Sequence, residues 1–193
     1  MNRRTGSFER EPARRVFAAE LRETRIQFKE GDDDMSPTYV IFPSGVRSNR
    51  IFIVGTLTEK QKQGEQNLFY RGRVIDPTGT FFINAGSYQQ EAMQQLARIE
   101  PPAFVAITGK PNVYQAPDGA SLVSVRVEAI EIVDRETRDI WVLDAARDTL
   151  DRLDAFGTTD DSRRALEHYG GKPENYKKIV YDALSQVQYM GGE

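Results

Sequence analysis

The sequence predicts a mainly β protein: a five-stranded Greek-key barrel with a helix between its third and fourth strands, followed by a C-terminal helical region. Two observations support this. The centre of the 193-residue chain is a series of apolar stretches of strand length, separated by turn signals, and one amphipathic helical stretch interrupts the series. In addition, Gly55 lies inside the first long strand, where a strand that serves two sheets must bend.

The predicted strands follow one another between residues 35 and 134. "TYVIF" precedes a Pro-Ser-Gly turn, and the predicted barrel strands come after it. In chain order they are NRIFIVGTLTEK, NLFYRGRVI, TFFINAG, AFVAITGKPNVYQ and SLVSVRVEAIEIV. The stretch SYQQEAMQQLARIE, with apolar residues at spacings of three and four, predicts a helix between the third and fourth strands that stops at Pro101-Pro102. This order is that of an OB-type barrel.

Two flanking regions complete the predicted organisation. Residues 1–34 form an N-terminal extension, residues 35–134 the OB-fold domain, and residues 135–193 the C-terminal helical region. In the extension, apolar residues at helix-like spacing predict a helix with Pro12 in its first turn, and the alternation in "TRIQFKE" predicts a short strand after it. The sequence places an apolar stripe along the first predicted C-terminal helix, with Trp141 beside it. The stripe consists of Ile140, Leu143, Ala146, Leu150 and Leu153.

The stretch "RVIDPTGTFFINAG" predicts a hairpin whose two faces differ in chemistry. Residues of one parity, such as Val74 and Phe81, are apolar and predicted to face the core, and the other parity carries arginine and an aromatic ring. Strands two and three of OB barrels bind oligonucleotides, and single strands are bound by cations that pair with phosphates and rings that stack on bases. The predicted DNA-binding residues are Arg71, Arg73, Phe82, Asn84, Lys110, Tyr114 and Arg126.

Each of these residues also has an ordinary structural interpretation. Phe82 can be covered by the N-terminal segment or by a partner, and Arg71 and Arg73 can form a solvated face. Tyr114 can be a cross-strand packing residue. Trp141, in an amphipathic helix, is more often a core residue, but on a helix appended to a barrel it can be an interface anchor.

Composition excludes several classes of function. The chain has no cysteine and one histidine, His168, so a disulfide scaffold or a thiolate metal site is excluded and a histidine metal centre is disfavoured. We find no glycine-rich phosphate loop and no paired metal motif, so we expect neither an enzyme nor a cofactor. The N-terminus lacks a signal-peptide core and no apolar run is long enough to cross a membrane, so we expect a cytoplasmic, nucleoid-associated protein. The net charge of −3 means that any nucleic-acid site is a local patch.

Several stretches of the sequence resemble one known family. These are VFAAEL, NRIFIVGTLTE, RGRVIDPTGTFFINAGSYQ, PPAFVAITGK and ETRDIWVLDAARDTLDRL. They resemble the archaeal replication protein A-associated proteins, which are OB-fold subunits, over residues 11–156. The resemblance implies single-stranded DNA binding in DNA replication and repair, in a hetero-oligomer with a replication protein A large subunit.

The chain is also similar to the middle, one-barrel subunit of the eukaryotic heterotrimer, in which a helix after the barrel drives assembly. Here that helix corresponds to residues 137–155. The residues expected to bind the partner are Ile140, Trp141, Leu143 and Leu150.

Two alternatives remain open at the level of sequence. A structural assembly subunit with little direct DNA contact fits the negative charge and the stripe beside Trp141. An RNA-binding OB protein fits as well, because stacking and phosphate pairing do not distinguish the two sugars.

Overall fold

The computed structural model describes residues 11–32, 36–171 and 173–187. The predictions for residues 1–10, 33–35, 172 and 188–193, which belong to the N-terminal extension, the start of the predicted OB-fold domain and the C-terminal region, lie outside the described residues. The described strands are β1 (Arg14–Arg15), β2 (Ile26–Lys29), β3 (Thr38–Ile41), β4 (Arg47–Ser48), β5 (Ile51–Gln63), β6 (Phe69–Asp76), β7 (Gly79–Gly86), β8 (Ala103–Gln115) and β9 (Ser121–Ile132). The described helices are α1 (Ala18–Arg22), α2 (Gln90–Arg98), α3 (Arg135–Asp154), α4 (Asp160–Tyr169) and α5 (Pro173–Leu184).

Five strands form a closed barrel in the order β5-β6-β7-β9-β8, and β8 pairs back with β5. All neighbours are antiparallel except β7 and β9, which run parallel. The helix α2 lies between the third and fourth barrel strands in sequence. This is the Greek-key order of an OB fold, so the predicted fold class is confirmed.

Alternation of side chains along the strands builds the barrel core. Val74, Phe81 and Ile83 are at most 1% exposed, as the parity of the β6–β7 hairpin predicts. Leu96 and Ala92 of α2 belong to the same buried cluster, so the apolar face of this helix packs on the barrel. Burial of these faces removes apolar surface from water, which is the main driving force for this packing.

The first barrel strand changes its pairing partner next to the predicted glycine. The first half of β5 pairs with β8 and the second half pairs with β6, and the β5–β6 register shifts between Leu57 and Glu59. A Cβ atom on Gly55 would lie 2.5 Å from the carbonyl oxygen of Ile75. Glycine is therefore required because the backbone of β6 approaches β5 closely at this point.

In the chain before the barrel the helix starts later than predicted, and three short strands form a second sheet. Arg14 and Arg15 form β1, which runs parallel to the start of β5, and the helix begins only at Ala18, so Pro12 does not start it. The stretch "TYVIF" forms β3, which pairs with β2 and β4 in a separate three-stranded sheet. The predicted domain boundary at 34/35 therefore falls in the connection between the paired strands β2 and β3.

The long helix α3 packs on the barrel with a face rotated from the predicted stripe. Trp141 is 2% exposed; its indole Nε1 donates a hydrogen bond to the carbonyl oxygen of Phe52 (3.0 Å), and its ring meets that of Phe17 edge-on. Ile140 and Leu143, by contrast, are 52% and 43% exposed. The buried face consists of Trp141, Val142, Ala145, Ala146, Thr149 and Leu153. Its small residues, Ala145 and Ala146, allow the helix to approach β5 closely, and Ile140 and Leu143 lie outside this face.

A buried ion pair joins the N-terminal segment to α3. Glu20 of α1 is 1% exposed, and Arg152 Nη2 lies 3.1 Å from its carboxylate. Ser44, in the turn after β3, donates to Glu20 and accepts from Arg152 Nε, and Thr149 accepts from Arg152 Nη2. The polar atoms of this cluster are therefore mutually satisfied. In the described part of the chain, no helix has the length and apolar character needed to span a membrane.

Candidate functional site

The β6–β7 hairpin carries four of the predicted site residues on its outer face. In the strand register Arg71 lies opposite Asn84, and Arg73 lies opposite Phe82. Arg71, Arg73 and Phe82 are exposed, Phe82 with 49% of its surface accessible, and Asn84 is half-buried. The hairpin therefore presents cations and a ring on one surface, on the parity that the sequence predicts.

The surface continues across β9 and β8 as a row of aligned residues. Asn84 of β7 pairs in register with Arg126 of β9, and Arg126 pairs with Lys110 of β8. The row Arg71, Asn84, Arg126, Lys110 thus crosses four adjacent strands, a width of about 14 Å at the usual strand spacing. Residues separated by up to 55 positions in the chain are brought onto one line by the sheet.

Two cavities with lining residues in common lie along this surface, and we call them together the sheet groove. A cavity of about 510 Å³ is lined by Arg71, Phe82, Asn84 and Tyr114 among others. A second cavity, of about 590 Å³, is lined by Lys110, Arg126 and again Asn84. Asn84 and Ser124 line both cavities, and Asn84 Nδ2 donates to Ser124 Oγ (3.3 Å).

An exposed apolar pair lines the 510 Å³ cavity of the groove. Tyr114 of β8 faces Leu122 of β9 across the hairpin, and both are more than half exposed. The cross-strand pairing expected of Tyr114 is present, yet the ring stays accessible. Both residues line the same cavity as Phe82, so the groove has an apolar floor in addition to its cations.

The cations of the groove differ in how strongly they are already paired. Within the described residues, Arg71 and Arg126 have no carboxylate at ion-pair distance. Arg73 Nε pairs with Glu59 at 2.9 Å, and its guanidinium lies 5.7 Å from the Phe82 ring centroid. Lys110 Nζ is 4.0 Å from Glu128. Arg71 and Arg126 are therefore the cations most available to an anionic ligand.

Glu128 is the acidic residue at the Lys110 end of the row. Arg50 binds both of its carboxylate oxygens, at 2.6 and 3.0 Å. Burial opposes ionisation, but the hydrogen bond and charge of Arg50, with Lys110 and Arg126 nearby, outweigh it and lower the pKa of Glu128. Glu128 therefore stays ionised and is neutralised chiefly by Arg50, which leaves Lys110 only loosely paired.

Sequence reasoning missed several groove residues, among them three from the segment before the barrel, and it missed the contact that Lys60 makes. Leu21, Arg22 and Arg25, from the segment before the barrel, line the 510 Å³ cavity. Lys60 contacts the C-terminal end of α2, where its Nζ donates to the carbonyl oxygen of Ala97 at 2.5 Å. No local pattern signals these positions, because each depends on elements far apart in the chain.

The residues predicted to bind a partner separate into two groups. Ile140 and Leu143 lie on the outer side of α3 and are exposed, whereas Leu150 is half-buried and packs against the core. Trp141 is part of the chain's own core and offers no surface to a partner, which corrects its assignment as an interface anchor. A tryptophan ring gains more from burial against Phe17 than from a position on the solvent side of α3.

Within the described part of the chain, no group of three or more histidine, cysteine, aspartate or glutamate side chains is arranged to hold a metal ion.

No family model matches the chain. No curated protein matches it either.

Several solved structures are similar to this chain. A chain of the Schizosaccharomyces pombe Stn1–Ten1 complex is similar over 89% of this chain and 98% of that chain, with 13% identity and a TM-score of 0.51. The second single-stranded DNA-binding protein (SSBb) of Mycobacterium smegmatis matches 45% of this chain and 87% of that chain, with 16% identity and a TM-score of 0.38. The mitochondrial single-stranded DNA-binding protein Rim1 of Saccharomyces cerevisiae matches 45% of this chain and 94% of that chain, with 17% identity and a TM-score of 0.34. At these identities the S. pombe match shows the OB fold alone.

Proposed function

We propose that this protein binds single-stranded DNA in the sheet groove, as a non-enzymatic OB-fold subunit of an archaeal replication protein A-like complex in DNA replication and repair. One observation carries the proposal: the aligned row Arg71, Asn84, Arg126, Lys110 and the exposed rings of Phe82 and Tyr114 line the two cavities of the sheet groove. Cations aligned beside accessible rings suit phosphates and unstacked bases of a single strand.

The cationic row predicts that the affinity for single-stranded DNA depends measurably on salt concentration. Three cations of the row, Arg71, Lys110 and Arg126, can each neutralise one phosphate. Each phosphate neutralised on a single strand contributes about −0.7 to the slope of log affinity against log salt, so the slope is at least about −2. A fourfold rise in salt then weakens binding by at least about 20-fold.

The test is a salt-series titration of the full chain with a fluorescein-labelled oligo-dT, a duplex of the same length and an oligo-rU. The variant Arg71→Ala/Arg126→Ala is expected to reduce the slope by about 1.4, whereas Arg147→Ala, on the exposed side of α3, leaves it unchanged. No binding to oligo-dT at low salt, or equal binding to the duplex, contradicts the proposal. Tighter binding to oligo-rU than to oligo-dT favours the RNA-binding alternative.

The second candidate function, assembly of a heteromeric complex, rests on the outer side of α3. Ile140 and Leu143 are exposed there, one helical turn apart. The S. pombe chain that shares this fold comes from the Stn1–Ten1 complex. The similarity covers 89% of this chain and so extends beyond the barrel. We propose that these two side chains contact the large subunit of the replication protein A-like complex.

Co-elution with that large subunit tests the contact. Ile140→Asp/Leu143→Asp is expected to abolish co-elution and to leave oligo-dT affinity unchanged. The matched control is Leu166→Asp/Tyr181→Asp, which places the same two negative charges at exposed apolar residues of α4 and α5. Retained co-elution of the double variant refutes the contact. Trp141 is unsuitable for this test because its truncation disturbs the core.

A further inference from the structure

A second wall of the sheet groove comes from the segment that precedes the barrel. Leu21, Arg22 and Arg25 line the 510 Å³ cavity together with Phe82 and Tyr114, although they lie far from both in the sequence. Leu21 is buried, while Arg22 and Arg25 are exposed. We call residues 21–25 the outer wall.

The outer wall adds two cations to the groove. Arg25 Nη1 donates to the carbonyl oxygens of Arg22 (2.7 Å) and Thr24 (2.8 Å), which orients its guanidinium and leaves its other N–H groups available. Among the described residues, neither Arg22 nor Arg25 has a carboxylate at ion-pair distance. Both arginines are therefore able to pair with an anion that enters the cavity.

The β6–β7 turn fixes the segment that contains the outer wall at its N-terminal end, at the start of α1. The N–H of Ala18 donates to the Asp76 carboxylate (2.8 Å), and the N–H of Ala19 donates to Thr78 Oγ1 (3.0 Å). Asp76 is buried and also accepts from the backbone N–H groups of Thr78 and Gly79. The hairpin that carries Phe82 thus also caps α1, so the two walls of the groove are attached to each other.

The C-terminal region fixes the other end. The N–H groups of Arg25 and Ile26 both donate to the hydroxyl oxygen of Tyr169 (2.8 and 3.0 Å). The same hydroxyl donates to the carbonyl oxygen of Ile41 (2.8 Å). Tyr169, at the end of α4, therefore holds the backbone at Arg25 against the three-stranded sheet.

We propose that Arg22 and Arg25 contact phosphates of the same single strand whose bases lie over Phe82, and that Tyr169 is a positioning residue for this contact. The inference rests on the proposed function and extends it: the DNA site is a cleft between the barrel and the outer wall. The C-terminal helices then have a role in binding, because α4 sets the position of Arg25.

The first experiment counts phosphates. With Arg22 and Arg25 included, five cations give the wild-type protein a salt slope of about −3.5 for oligo-dT, and Arg22→Ala/Arg25→Ala returns it to about −2. The control, Arg98→Ala/Arg147→Ala, removes two exposed arginines from α2 and α3 and keeps the wild-type slope. All variants are expected to keep the wild-type circular dichroism spectrum, because the replaced side chains are exposed.

The second experiment tests the positioning role of Tyr169. Tyr169→Phe is expected to weaken oligo-dT binding and to lower the salt slope in the wild-type background. In the Arg22→Ala/Arg25→Ala background the same substitution is expected to have no further effect, because the contact that it positions is already gone. A general loss of stability would act equally in both backgrounds.

The outcomes separate this inference from the proposed function. If Arg71→Ala/Arg126→Ala lowers the slope but Arg22→Ala/Arg25→Ala does not, the outer wall has no role and the sheet groove alone binds DNA. If Tyr169→Phe weakens binding equally in both backgrounds, its positioning role is refuted. Absence of oligo-dT binding by the wild-type protein refutes both the proposed function and the cleft.

Discussion

Phe82 is the side chain whose removal tests the stacking part of the proposal most directly. It is 49% exposed at the centre of the β6–β7 hairpin, and the Arg73 guanidinium lies 5.7 Å from its ring centroid. Its neighbours in the strand, Phe81 and Ile83, face the core, so Phe82 contributes little to the barrel itself. Phe82→Ala therefore removes a stacking surface while the hydrophobic core stays intact.

The expected magnitude follows from one lost stacking contact. Stacking of a base on an aromatic ring is worth about 1–3 kcal/mol, so the affinity for oligo-dT is expected to fall by about 5- to 140-fold. Because the ring is only half-buried, the folded state loses about 1 kcal/mol, or about 2–4 °C in melting temperature. The salt slope is expected to stay unchanged, because no cation is removed.

The assay is fluorescence anisotropy of labelled oligo-dT at one fixed salt concentration, with a thermal melt of each variant. Tyr181→Ala, which removes a ring that is 63% exposed on α5, is the matched control and is expected to leave affinity unchanged. Phe82→Trp is expected to retain binding, since it retains a stacking surface. An affinity for Phe82→Ala within about twofold of wild type, below the lower end of the stacking range, refutes stacking on this ring.

Three further predictions concern the stability of the fold. Arg152→Ala is expected to cost about 3–5 kcal/mol in urea unfolding, because Glu20 is left buried without its ion-pair partner; a loss under about 1 kcal/mol contradicts this role. Glu128 is expected to stabilise the fold above the ordinary glutamate pKa of about 4.3, with the contribution lost as pH falls through its lower folded pKa; unfolding of Glu128→Gln across this pH range is expected to lack that step. Gly55→Ala is expected to cost about 1–3 kcal/mol, since its Cβ would lie 2.5 Å from a β6 carbonyl oxygen, whereas Gly86→Ala, with 3.6 Å of clearance, is tolerated; equal unfolding midpoints for the two variants rule out the close approach.

The barrel and the outer face of its hairpin could be predicted because their signals are local. Alternation along "RVIDPTGTFFINAG" assigns Val74 and Phe81 to the core, and the same period of two places Arg71 and Phe82 on the opposite face. The apolar spacing in the stretch before Pro101-Pro102 likewise predicts α2. That these residues contact DNA stays a prediction, since a side chain's direction does not identify its ligand.

The helix α3 shows the limit of a local signal. Its apolar residues are spread around the helix, and several choices of buried face are consistent with the sequence. The structure buries Trp141 with the small residues Ala145 and Ala146, and it leaves Ile140 and Leu143 exposed. Contact with Phe17 and with the carbonyl oxygen of Phe52 decides this choice. Phe52 precedes Trp141 by 89 positions in the chain, and Phe17 lies further away still.

The sequence by itself therefore determined the order of the barrel strands and the parity of their faces, because both depend on spacing between near neighbours. Only the tertiary structure decided which distant residues share a site. It aligned Asn84 with Arg126 and Lys110, and it brought Arg25 to the groove through Tyr169. The physical reason is that such contacts join elements far apart in the chain, and no periodicity along the sequence encodes their meeting.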